Sequence, residues 1–338
     1  MKKTKAYARA GVDVDLGNTV KSGIHAMVRS THGPEVLSSI GGFGGLFRAN
    51  FRGMKDPVLV ASTDGVGTKL KLAFVTGRHD TIGQDLVNHC INDIAVTGAK
   101  PLFFLDYMAG AVLDPGVFRQ VLRGFVKACK AGKCALIGGE TAQMPGMYLP
   151  GEYDLAGTIV GVVDRGSMLG PDSVRVGDVL VGLPSNGLHT NGYSLARHVL
   201  FETMNLRPDS RLPGLSRTVG EELLRVHKNY QPAMAALPKG AIKAAAHITG
   251  GGLIDNLPRI LPEGCQAAVR TSAWKVPAIF RYIREGGSVD PVEMFQVFNM
   301  GIGMVVVVAR QRAEAIARSL RGRVIGEIVR GERCTVLV

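Results

Sequence analysis

Asp64, Asp93 and Glu140 are the side chains whose setting best suits chemistry. Asp64 closes a β-branched run at 57–63 and opens the stretch Asp64-Gly-Val-Gly-Thr-Lys69. Asp93 falls on the polar side of a helical pattern, shared with Asp85, His89 and Asn92. Glu140 follows Ile137-Gly-Gly at the expected end of a short strand. Mg2+ takes oxygen ligands and commonly binds through one or two carboxylates together with substrate phosphates. Three carboxylates from three separate elements could build such a site, and Lys69 could neutralise phosphate beside them. Any one of them alone is as readily a helix cap, a turn or a surface charge. The set, taken with its glycines, favours a metal–phosphate site.

A second polar concentration is Ser185-Asn-Gly-Leu-His-Thr-Asn-Gly-Tyr193, between an expected strand and an expected helix. A histidine titrates near neutrality, so His189 could act as a general acid or base. A lone histidine is more often structural, and the polar glycine loop is what tips the reading toward function. Thr249-Gly-Gly-Gly-Leu-Ile-Asp255 leads a glycine run into an expected helix. The start of that helix could cradle phosphate or be a plain tight turn.

These groups need a scaffold, and the apolar spacing supplies one. Residues 57–63, 101–107, 134–137 and 153–163 read as strands. Residues 80–97 carry Ile82, Leu86, Ile91 and Ile94 at helical spacing. Asp114-Pro115 is a helix start, an N-cap followed by proline at the first turn, and that helix runs to about residue 131. After a polar, glycine-bearing stretch at 164–177 a second alternating set begins at Asp178. Helices are expected near 194–203, 220–236 and 276–285, and strands at 266–270, 304–309 and 324–329. The economical reading is two α/β domains, 1–166 and 167–338.

Composition narrows the class. A length of 338 residues, 46% hydrophobic and 20% charged, is globular and natural for two domains. No run approaches the roughly 20 apolar residues of a membrane span. The basic start MKKTKAYARA has no apolar segment after it, so no signal peptide or anchor is read and a cytoplasmic location is expected. Five scattered cysteines form no C-x-x-C and no zinc spacing, which suits reduced, buried thiols. The net charge of +12 would suit nucleic acid, but it is spread along the chain and aromatics are only 6%. A basic protein handling phosphorylated small molecules accounts for the charge equally well. Walker A, G-x-G-x-x-G, H-E-x-x-H and G-x-S-x-G motifs are all missing.

The chain resembles the phosphoribosylformylglycinamidine cyclo-ligase family, also called aminoimidazole ribonucleotide synthetases. The resemblance rests on Tyr7-Ala-Arg-Ala-Gly-Val-Asp-Val-Asp15, Gly41-Gly-Phe-Gly-Gly45, Thr63-Asp-Gly-Val-Gly-Thr-Lys69 and Asn92-Asp-Ile-Ala-Val-Thr-Gly-Ala-Lys-Pro101. It continues through Phe104-Leu-Asp-Tyr107, Gly138-Gly-Glu-Thr-Ala-Gln-Met-Pro-Gly146, His189-Thr-Asn-Gly-Tyr-Ser194, His247-Ile-Thr-Gly-Gly-Gly252 and Phe298-Asn-Met-Gly-Ile-Gly-Met304. These span nearly the whole chain in order. The pattern from Asp93 to Pro101 is shared by a wider ATP-using superfamily, so selenophosphate synthetase and thiamine-phosphate kinase are the rival readings. The stretches around Glu140 and His189 are more particular to the cyclo-ligase.

The resemblance implies a reaction. ATP phosphorylates the formyl amide oxygen of formylglycinamidine ribonucleotide, and the amidine nitrogen attacks the iminophosphate. Phosphate leaves and the imidazole ring closes. By the family pattern Asp64, Asp93 and Glu140 would hold Mg2+ with ATP, while Lys69, Thr68 and the Gly41, Gly42, Gly44 and Gly45 backbone would meet phosphates. His189, Thr190, Asn191, Thr249, Gly250, Gly251 and Gly252 would meet the substrate, with His189, Lys69 and Asp93 as the catalytic groups. A requirement for K+ is left open. The family also implies a homodimer whose N-terminal sheets join into one β-barrel flanked by helices, with an α/β sandwich as second domain. Thr190 stands where serine is usual and keeps the hydroxyl.

Overall fold

A computed structural model describes residues 24–338. The motif at 7–15 lies outside them. The first half forms a four-stranded sheet from β1 (Pro57–Gly65), β2 (Lys100–Gly110), β3 (Ala135–Gln143) and β4 (Tyr153–Asp164), in the order β1-β4-β2-β3. Only β2 and β3 run parallel. Helices α1 (His25–Arg29), α2 (Leu70–Thr76), α3 (Ile82–Ala95) and α4 (Pro115–Ala131) belong to this half. The start of α4 is built as its sequence suggests: the Asp114 carboxylate accepts the Val117 N–H at 2.8 Å and Pro115 opens the first turn.

α3 and α4 cover one face of this sheet. They cross where Gly83 meets Gly124, and a Cβ on Gly83 would lie 2.3 Å from the Val121 carbonyl oxygen. α3 is buried almost throughout, on its polar side as well as its apolar one. The other face of the sheet is open: along β1, residues alternate exposed and half-buried, with Leu59 61% exposed. Strand alternation therefore sends Val58, Val60, Ser62 and Asp64 toward α3, and Leu59, Ala61 and Thr63 outward.

The second half is a six-stranded sheet of β5 (Val179–Pro184), β6 (Ala244–His247), β7 (Cys265–Val269), β8 (Ile302–Val308), β9 (Arg323–Arg330) and β10 (Thr335–Leu337), in the order β10-β7-β9-β5-β8-β6. Every residue of β8 is buried, because apolar clusters sit on both faces of the sheet. Its helices are α5 (Tyr193–Arg197), α6 (Val219–Leu223), α7 (Gln231–Ala235), α8 (Gly252–Asn256), α9 (Ala278–Gly287), α10 (Pro291–Val297) and α11 (Ala313–Ser319). The two halves share a core, since Leu188, Tyr193, Val199 and Phe298 pack in one cluster with residues of α3 and α4.

Three elements differ from the sequence reading. The strand expected at 134–137 continues to Gln143, so Glu140 lies inside it. Gly139 permits this: a Cβ there would stand 2.3 Å from the Asp106 carbonyl oxygen on β2. The helix expected over 220–236 is two short helices, α6 and α7, separated by an irregular 224–230 segment that faces α3. The helix expected at 194–203 begins as α5 and turns into a π-helix over His198–Thr203.

Candidate functional site

The centre of the molecule is a polar chain closing the seam between the two halves. Asp64, pointing inward from the end of β1, places Oδ2 2.8 Å from His89 Nε2 on α3. One turn further, Asp93 stands with Oδ2 3.7 Å from the same nitrogen. His89 Nδ1 lies 2.6 Å from the Thr190 hydroxyl, which is 3.2 Å from His227 Nδ1. His227 Nε2 meets His247 Nε2 at 2.9 Å, and His247 Nδ1 returns to Asp93 Oδ1 at 2.8 Å. Ser62 donates to Asp93 Oδ2 at 3.2 Å. Five contacts thus join Asp64, His89, Thr190, His227, His247 and Asp93 in sequence. Each needs one proton, while three neutral imidazoles and a hydroxyl supply four. With both carboxylates ionised, the chain must hold one further positive charge.

Burial sets the electrostatics. It would raise the Asp64 carboxyl, but the hydrogen bond and charge of His89 leave it below its ordinary value. Burial likewise opposes protonation of His89, yet Asp64 and Asp93 raise it above the ordinary imidazole value. His247 is lowered by burial despite Asp93, and burial pushes His227 well down.

A second buried network adjoins the first. Lys69 is completely buried at the end of a single 3-10 turn, Gly67–Lys69, which leads into α2. Its ammonium is 2.9 and 2.8 Å from the two Asp85 oxygens and donates to the carbonyls of His189 at 3.0 Å and Arg225 at 2.8 Å. Asp85 also accepts the His227 N–H at 2.7 Å. Burial outweighs Lys69 and pushes the Asp85 carboxyl up to about 6. The polar face of α3 completes the seam. Asn88 donates to the His227 carbonyl at 2.7 Å, and Asn92 both donates to the Lys228 carbonyl at 2.8 Å and accepts from the Tyr230 N–H at 2.9 Å.

The sequence-derived residues sort themselves accordingly. Asp64 and Asp93 come together on one imidazole and offer the oxygen donors that Mg2+ prefers. Glu140 does not join them. Asp64, Gly157, Asp106 and Gly139 are in register across the sheet, so Glu140 points to the opposite face, with Tyr107 and Ala156. It is also three strands away, ~14 Å at about 4.8 Å per strand. Lys69 does not face open phosphate space, because its donors are spent inside the protein. Thr68 is exposed, with its hydroxyl 3.0 Å from that of Ser194. The Gly41–45 segment is also exposed, and Gly45 packs on Ile137 of β3, at the sheet edge remote from β1.

His189 is buried at 2% exposure and stacked on His227, with ring centroids 4.1 Å apart. Burial holds it well below its ordinary value. Its φ is +65°, and its carbonyl accepts from Lys69 and from the Tyr193 hydroxyl. Asn191 lies beside Thr190 and beside Gly250, whose Cβ would stand 3.3 Å from Asn191 Oδ1. Gly251 and Gly252 have φ of +96° and +56°, and a Cβ on Gly252 would come within 2.0 Å of the Phe295 carbonyl oxygen. Packing thus requires these glycines, and α8, at five residues, is too short to present a substantial helix dipole. His247 was missed as a partner of Asp93, and His227 as the partner of His247. His247 does open one of the quoted motifs, whereas nothing in the local sequence marks His227.

Comparison with known proteins agrees over both halves. Residues 49–163 match the N-terminal domain, and 175–338 the C-terminal domain, of AIR synthase related proteins. A phosphoribosylformylglycinamidine cyclo-ligase of Citrifermentans bemidjiense is 52% identical, with all of both chains covered. One of Trichlorobacter lovleyi is 51% identical over 95% of this chain and 93% of the relative. Among solved structures, thiamine-monophosphate kinase from Stenotrophomonas maltophilia superposes with TM-score 0.70 at 19% identity, covering 94% of this chain and 96% of that one. The hydrogenase maturation protein HypE in complex with ATP gives 0.65 at 18% identity, covering 99% and 92%. Those two likenesses describe a fold, whereas the full-length identities describe a lineage: this chain belongs to the phosphoribosylformylglycinamidine cyclo-ligase family.

Proposed function

We propose that this enzyme closes the imidazole ring of aminoimidazole ribonucleotide from formylglycinamidine ribonucleotide, spending ATP to ADP and phosphate. The observation that carries the reading is 52% identity to a cyclo-ligase along the entire chain. Phosphorylation of the formyl amide oxygen makes phosphate the leaving group, so the amidine nitrogen can displace it. Asp64 and Asp93 would hold Mg2+, which would offset charge on the transferred phosphoryl group. Their attachment to His89 orients both carboxylates. The Thr249–Gly251 run beside Asn191, on the second half, is the proposed ribonucleotide side. Glu140 and the Gly41–45 backbone lie away from Asp64 within one chain. We assign them to phosphate binding in a homodimer whose open sheet faces meet. A cytoplasmic setting accords with this chemistry, and no helix among the described residues is long and apolar enough to cross a membrane.

The test is turnover of formylglycinamidine ribonucleotide with ATP and Mg2+, following ADP and aminoimidazole ribonucleotide together. Equal amounts of both are expected, with Asp93→Asn reducing the rate at least ~100-fold, the scale for losing a preorganised electrostatic group. ADP without the imidazole would move the reading to another phosphoryl-transfer substrate. Neither product from folded protein would overturn it.

A further inference from the structure

The polar chain at the seam has a second capacity, which does not depend on the cyclo-ligase reading, although its ion would compete with Mg2+ for Asp93. We propose that His89, Asp93 and His247, with Asp64 at the rim, form a binding site for a divalent transition-metal ion of the zinc or cobalt type. The ligand atoms His89 Nε2, His247 Nδ1 and an Asp93 oxygen all lie within 4.8 Å of one another. Asp64 Oδ2 is 2.8 Å from His89 Nε2 at the edge of this cluster, outside the three-donor set itself. A tetrahedral ion with bonds of about 2.0–2.1 Å separates its donors by roughly 3.4 Å. The Asp93 spacings of 2.8 Å to His247 and 3.7 Å to His89 bracket that value.

Two further observations support the site. Each imidazole is held through the nitrogen a metal would not use: His89 Nδ1 by Thr190 at 2.6 Å, and His247 Nε2 by His227 at 2.9 Å. Metal-binding histidines are characteristically oriented in this way. The histidines are 3% and 6% exposed while the Asp93 side chain keeps 22%, which combines a dry pocket with a way in.

The donor set also selects the ion. Two imidazoles with carboxylates suit Zn2+, Co2+ or a similar ion, whereas Mg2+ favours oxygen alone. Because His247 belongs to the second half and the other ligands to the first, a bound ion would pin the two halves together.

The experiment is Co2+ titration of chelator-treated full-length protein in excess Mg2+, read by visible ligand-field bands and by thermal unfolding. One Co2+ per chain, displaced by Zn2+ and accompanied by a rise in Tm, is expected. Binding should weaken at least ~100-fold in His89→Gln and in His247→Gln. It should persist in His198→Gln, which alters an exposed histidine paired with Glu202. His89→Cys keeps a ligand, so it should still bind Co2+ and add a near-ultraviolet thiolate-to-cobalt band that the parent lacks. Absence of Co2+ binding in folded wild type, binding unaffected by both glutamine variants, or no new band in His89→Cys would each overturn the site. None of these readouts uses turnover, so failure here is distinct from failure of the cyclo-ligase reading.

Discussion

The Lys69 ammonium sits in a pocket of Asp85 and the carbonyls of His189 and Arg225, without solvent access. A buried charge is tolerable only when partners replace its hydration, and here they come from both halves of the chain. Removing one member leaves the other uncompensated. Lys69→Met should therefore cost about 3–5 kcal/mol, and Asp85→Asn a comparable amount. The double variant should cost clearly less than the sum of the two, because neither charge is then stranded. Urea unfolding of the four proteins measures this, and simple additivity would refute the pairing. The same geometry explains why Lys69 is better read as a latch between halves than as a phosphate ligand.

At the scale of elements, α3 does most of the positioning. Its apolar side packs on the sheet and α4, while Asp85, Asn88, His89, Asn92 and Asp93 face the second half. Periodicity shows such a helix as amphipathic, and a polar face ordinarily meets water. Here it meets the 224–230 segment, whose backbone groups would otherwise be buried without partners. The position of α3 depends on the Gly83–Gly124 crossing. Gly83→Ala would press a methyl into the Val121 carbonyl and should cost about 1–3 kcal/mol as overpacking. It should also lower turnover, because Asp93 and His89 move with the helix. An unchanged Tm on thermal unfolding would show that the crossing can relax without cost.

At the scale of the molecule, the open face of the first sheet remains to be covered. Leu59, Ala61, Thr63 and Val160 form an apolar to weakly polar surface with few charges, of the kind that a second copy covers in symmetric assemblies. Leu59→Glu would place a charge in the middle of that contact. It should weaken self-association at least ~10-fold, as measured by sedimentation across a concentration series. A wild-type chain that sediments as a monomer at all concentrations would remove the dimer and, with it, the role assigned to Glu140.

Much of this arrangement could be read from the sequence because it is local. The N-cap at Asp114 and proline at 115 mark α4, and alternation in 57–63 marks β1. The motifs around Asp64 and Asp93 mark the wider superfamily and those around Glu140 and His189 the family, since residue types at fixed spacing need no tertiary contact to be recognised. Other features were decided only by packing. Glu140 read as lying at the end of a short strand, but Gly139 allows close strand approach, and the strand continues to carry Glu140 inside β3 and onto the far face. Lys69 read as a phosphate ligand, but its partners Asp85, His189 and Arg225 come from distant parts of the chain. His247 joined Asp93, and His227 joined His247, only when β6 and the 224–230 segment were brought against α3. Sequence determines which groups are available and which backbone carries them. Which groups share one buried volume, and so determine one another's charge, depends on contacts between residues far apart in the chain, and those exist only in the folded protein.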